Sequence, residues 1–159
     1  MTHVLILLFA LLIGIVAGLR AFTAPAVVSW AAFLDWLHVD GTWASWMGNS
    51  ITVGLLTVLL VVELITDQLP KTSSRKTPQF IARLISGGFS AAVIGAAWAF
   101  TFPAIAAGLV GAVLGTVGGC EARRRLVAAT GGRDLPIALL EDGVAVGGGF
   151  LIAYPTSTV

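Results

Sequence analysis

The stretch Phe80–Phe102, FIARLISGGFSAAVIGAAWAFTF, leads into Ala104–Cys120, AIAAGLVGAVLGTVGGC, with only Pro103 between them. Either run can cross a bilayer as a helix, which takes about 20 apolar residues rising 1.5 Å apiece. Arg83 is the only charge in the two together. Side chains this uniformly apolar are expected to face lipid.

Outward from this pair, further apolar runs occupy Val4–Leu19, Ala21–Leu37, Ile51–Thr66 and Pro136–Tyr154. The expectation is an all-α integral membrane protein: five to six membrane segments arranged as helical hairpins, in one domain covering 1–159. Ala21–Leu37 is the weakest segment, because it is short, opens near Pro25 and carries Asp35; a re-entrant or interfacial piece is its alternative. Composition agrees, with 57% hydrophobic and 11% charged residues, the latter about half the share in a soluble domain. Six segments leave no room in 159 residues for a second, soluble domain. Met1-Thr2-His3 lacks the Lys or Arg of a secretory leader, so Val4–Val16 reads as a first segment and not as a cleaved signal.

Charge placement gives an orientation. With six crossings and the N-terminus outside, Arg20, Lys71, Arg75, Lys76, Arg83, Arg123, Arg124, Arg125 and Arg133 all fall on the cytoplasmic side, as the positive-inside rule favours. With five crossings only Arg20 changes side. The expected location is a bacterial inner membrane, with loops 67–79 and 121–135 cytoplasmic and Trp36, Trp43 and Trp46 among the outer headgroups. The expected partners are the bilayer and its anionic headgroups. A net charge of +1 gives no reason to expect a nucleic acid. The single cysteine, Cys120, rules out an internal disulfide, and His3 and His38 are too few and too far apart for a zinc site. No metal or cofactor is expected.

Sliding the sequence by 58 positions aligns Glu63 with Glu121, Thr72 with Thr130, Arg75 with Arg133 and Pro78 with Pro136. Each copy reads as helix, Glu, inner loop, Arg-x-x-Pro, helix, which suggests a parallel duplication of a helical hairpin. Small residues at four-residue spacing (Gly14 and Gly18; Gly87, Ala91 and Gly95; Gly111, Gly115 and Gly119; Gly143 and Gly147) mark faces where helices approach closely, within the monomer or between copies of a homo-oligomer.

Ionisable residues at membrane depth are costly unless paired or wet. Glu63 and Asp67 share one helical face, Glu141-Asp142 lie about two turns into the last segment, and the 58-residue shift matches Asp67 and Arg83 with Arg125 and Glu141, signs exchanged. A charged cluster of Arg20, Glu63, Asp67, Arg83, Arg125, Glu141 and Asp142 is therefore expected near the inner face. The alternative is that Arg83 and Arg125 reach to headgroups while the carboxylates stay at the water boundary. The loop holding Lys71, Thr72, Ser73, Ser74, Arg75 and Lys76 sets three cations among hydroxyls between two prolines, a composition that can grip phosphate.

Gly18 to Pro25 followed by Ser29-Trp30-Ala31-Ala32, Glu63 with Leu69 to Arg75, Ala82 to Gly87, and Asp134-Leu135-Pro136 with Leu140-Glu141-Asp142 together resemble the small bacterial membrane proteins grouped as domain of unknown function family 4126. The resemblance covers nearly the whole chain. It implies a small bacterial inner-membrane protein and no particular activity. It also singles out Arg20, Glu63, Lys71, Arg75, Arg83, Glu141 and Asp142, with Arg123–Arg125 less clearly inside the motifs.

Three functions compete. The first is a channel or transporter for a small ion or polar solute, its charged cluster lining an inner vestibule. The second is a non-catalytic homo-oligomeric scaffold or subunit docking through its small-residue faces. The third is an enzyme or carrier acting on a lipid phosphate, with the Lys71–Arg75 loop on the phosphate and Glu63 as acid or base. No catalytic histidine accompanies that loop, so enzymatic chemistry is the less favoured reading.

Overall fold

The computed structural model describes residues 3–66 and 76–157. It contains six α-helices: α1 (His3–Leu19), α2 (Thr23–Phe33), α3 (Ser50–Thr66), α4 (Lys76–Ala96), α5 (Thr101–Ala129) and α6 (Asp134–Ala153). Two short 3₁₀ turns, Ser45–Gly48 and Tyr154–Ser157, complete it, and there is no strand among the described residues. Three helical stretches, Thr77–Ala96, Thr101–Ala129 and Leu135–Ala153, are long and apolar enough to cross a membrane. The other three helices are apolar but shorter.

Prolines govern where helices start. Pro25, Pro78, Pro103 and Pro136 each stand third in a helix, within the first turn, where the backbone N–H has no helical acceptor and its loss costs nothing. Consequently α4 begins before Pro78 and not at Phe80, and it ends at Ala96 instead of running to Phe102. The chain then turns through Ala99 (φ 54°) before α5. The turn closes on Gly95, whose carbonyl accepts from Phe100 at 2.8 Å.

Two expected boundaries are corrected. The segment expected at 21–37 is helical only over the 11 residues of α2, roughly 16 Å of rise. Asp35, in the left-handed region at φ 57°, ends it, and the chain folds over the end of the bundle, with Ser29 donating to the Met47 carbonyl at 2.6 Å. The inner loop expected at 121–135 is for most of its length the last turns of α5. Glu121 pairs along the helix with Arg124 (2.9 Å) and Arg125 (2.7 Å), spacings that extend a helix past its apolar run. It stops only at Gly131 and Gly132, with φ of 70° and 88°.

The tightest packing joins α1, α4 and α5 through glycine. A Cβ added at Gly14 would overlap the Gly108 backbone, and one at Gly111 or Gly115 would overlap the Leu11 or Ile15 carbonyl. Across α4, Gly87 lies against Gly108 and Ala112. By contrast α2 is surrounded, with nine of its residues buried, while α3 buries only Val53 and lies at the periphery. Trp30 ties the two together, its indole N–H donating to Thr57 at 3.0 Å.

The ends of the bundle differ in chemistry. One end gathers the α1–α2 turn with Arg20, the start of α4 with Arg83, the end of α5 with Arg123–Arg125, Arg133, and the start of α6. The opposite end is aromatic: His3 packs on Phe100 (4.5 Å between centroids), Trp36 on Tyr154 (5.3 Å), and Trp43 and Trp46 both on Phe89. Between the ends, Ile13, Val27, Val28 and Ile94 are buried and fill the core.

Candidate functional site: a charged node and its cleft

The polar groups of the arginine end converge on the turn between α1 and α2. Since α1 stops at Leu19, its last carbonyls lack helical donors, and neighbouring helices supply them. Thr116 of α5 donates to the Gly18 carbonyl at 3.1 Å, and in the turn that follows the helix Ser86 of α4 donates to the Ala21 carbonyl. The turn's N–H groups are met from α3, where the Glu63 carboxylate accepts from Ala21 at 2.7 Å and Phe22 at 2.9 Å. There the carboxylate also lies at the positive end of the α2 dipole.

Arg20, on the same turn, is 1% exposed and forms an ion pair with the buried Asp142 of α6. Asp142 is eight residues into its helix, about 12 Å from its start. Burying two charges this deep is tolerable only when they face each other. Next to it, Glu141 meets Arg123 of α5 at 3.5 Å. Arg20, Arg123 and Arg83 all act electrostatically on Glu141, so the four groups share one field.

Beside the node a cleft of about 540 Å³ lies between α4, α5 and α6. Thr77, Gln79 and Arg83 line it from α4, Thr116, Cys120 and Arg123 from α5, and Glu141 from α6. Thr116 touches both cleft and node. Hydroxyl, amide, guanidinium and carboxylate groups here can bind a small charged or polar ligand, and the balance of two arginines against one glutamate favours an anion.

Of the residues expected to cluster, the structure brings Arg20, Glu63, Glu141 and Asp142 to the node and Arg83 to the adjoining cleft. Arg125 stands apart: its side chain is 77% exposed and pairs with Glu121 on its own helix. The physical reason is helical phase. Arg123 continues the four-residue stripe of Gly111, Gly115 and Gly119 towards the neighbouring helices, while Arg125 is rotated about 200° from it. That stripe was the sequence signal that selects Arg123. Ser86 and Thr116 carried no signal, because their work is on distant backbone. Asp67 and Lys71, Thr72, Ser73, Ser74 and Arg75 lie outside the described residues, as does the side chain of Lys76.

The family model described as Domain of unknown function (DUF4126) matches residues 7–158. The chain therefore belongs to that family. No curated protein and no solved structure matches it.

Proposed function

We propose that the chain is a multi-pass bacterial inner-membrane carrier, arginine end in the cytoplasm and N-terminus outside, that takes a small anionic or polar solute into the cleft beside the Arg20–Asp142 node. Embedding is supported by the outward apolar surface, which includes Ile51, Leu55 and Val58 of α3, Val110 and Leu114 of α5, and Leu139 and Leu151 of α6; a soluble monomer seldom exposes so much. The helices α1 and α3 cross beside the longer ones, while α2 is the half-helix of a broken segment. A duplicated hairpin fits as well, since α6 begins 58 residues after α4 (134 against 76).

One observation carries the carrier reading: at the arginine end a cleft lined by Arg83, Arg123 and Glu141 lies beside the deeply placed Arg20–Asp142 pair, while a separate polar hollow lined by Asp35, Asp40 and Asn49 marks the other end and the core is filled with apolar side chains. An open channel would need a wet path through Ile13, Val27 and Ile94, which are buried and apolar. The test is uptake of labelled phosphate, sulfate and chloride into proteoliposomes, with wild type compared to Glu141→Gln. At least one anion is expected to accumulate above empty vesicles and to change severalfold in rate in the variant. No uptake of any, or uptake indifferent to the substitution, refutes the reading.

A second reading, a homo-oligomeric scaffold, draws on α6. Around Gly143 and Gly147, which have open space on their outer side, the exposed Leu140, Val144 and Leu151 form a free face. Mass measurement in detergent separates a monomer from a closed oligomer.

A further inference from the structure

On the far side of the Arg123–Glu141 pair is a second cavity, an apolar groove of about 140 Å³ between α5 and α6. Leu126, Ile137, Leu140 and Val144 form its walls, and it shares Gly119, Arg123 and Glu141 with the polar cleft. At the junction Gly119 has no side chain, and a Cβ there would meet Leu19. A cleft carrying two guanidinium groups and an apolar groove thus adjoin across the Arg123–Glu141 pair.

We infer that cleft and groove together bind one amphiphile, a membrane lipid carrying a terminal phosphate, with the phosphate between Arg83 and Arg123 and a hydrocarbon chain in the groove. This rests on the proposed reading of the cleft as an anion site and names the ligand class. A small inorganic ion has no use for the groove, whereas a lipid whose phosphate is drawn into the cleft must keep its chain in an apolar phase. Leu140 and Val144 are exposed, so the groove opens onto the outward apolar surface.

The charges are arranged for such a head. Arg83 and Arg123 both line the cleft, so a phosphate there meets two guanidinium groups, with Glu141, 3.5 Å from Arg123, as the competing anion. Arg83 has no ion pair among the described residues and faces the same cleft. Thr77, Gln79 and Thr116 add neutral donors. None of these residues belongs to the 71–76 loop that sequence alone nominated for phosphate.

Cys120 lines the cleft and is exposed, which supplies a reporter in the unmodified protein. Its labelling by a neutral maleimide is measured in phosphatidylcholine nanodiscs, with phosphatidic acid incorporated, with glycerol 3-phosphate in solution, or with neither. Phosphatidic acid is expected to slow labelling about tenfold, as two charge-assisted contacts allow, and glycerol 3-phosphate much less. Arg83→Gln/Arg123→Gln, checked for an unchanged elution profile and melting transition, is expected to label at the unprotected rate in every disc. Equal protection by glycerol 3-phosphate overturns the lipid inference and leaves the anion site standing. Protection by neither overturns both. Protection by phosphatidic acid that persists in a folded double variant removes the arginines from the site and overturns the inference as well.

Discussion

Arg20 and Asp142 are 122 positions apart, yet they are buried together as an ion pair. Removing one partner of such a pair leaves a stranded charge and costs about 3–5 kcal/mol, while replacing both by apolar residues is close to neutral. Asp142→Leu is therefore expected to lower the melting temperature in detergent sharply, and Arg20→Met/Asp142→Leu to recover most of it. A double variant no more stable than the single would mean that the two charges are not coupled. Glu63 and Glu121 make the complementary point. The 58-residue alignment equates them, but Glu63 closes the α1–α2 turn from another helix whereas Glu121 pairs with arginines on its own exposed surface. Equivalent letters in a repeat take different roles when their neighbours differ.

At the scale of the helix, the glycine stripes are not interchangeable. Gly111 and Gly115 lie against the α1 backbone, where a methyl group has nowhere to go, while nothing lies within 4 Å of the outer side of Gly143 or Gly147. Gly111→Ala and Gly115→Ala are expected to cost about 1–3 kcal/mol each through overpacking. Gly143→Ala and Gly147→Ala should leave the monomer unchanged or slightly more stable through better helix propensity. Thermal unfolding of the four variants in one detergent checks the contrast, and equal losses at all four would contradict the packing. The sequence revealed the spacing of these stripes but not which of them meets a neighbour, because a four-residue period fixes a face and says nothing of what lies opposite. Helix starts were legible in principle: four prolines mark first turns, and reading them as barriers displaced the expected bounds of α4 and α5 by several residues.

For the molecule as a whole, the separation of an arginine end from an aromatic end is the property from which orientation follows. Since Cys120 is the only cysteine and lines the cleft at the arginine end, a membrane-impermeant maleimide is expected to label it in inverted membrane vesicles and to leave it unreacted in right-side-out ones. The opposite pattern would reverse the proposed topology. Composition and apolar runs by themselves determined the all-helical class and the order of the helices, because those depend on local hydrophobicity. Only the tertiary structure decided that α2 is a short surrounded helix, that Arg123 and not Arg125 faces Glu141, and that a polar cleft and an apolar groove share a wall. Each of these depends on which faces of distant helices meet, and that meeting is set by backbone approach at particular glycines and by the pairing of charges too deep to remain alone.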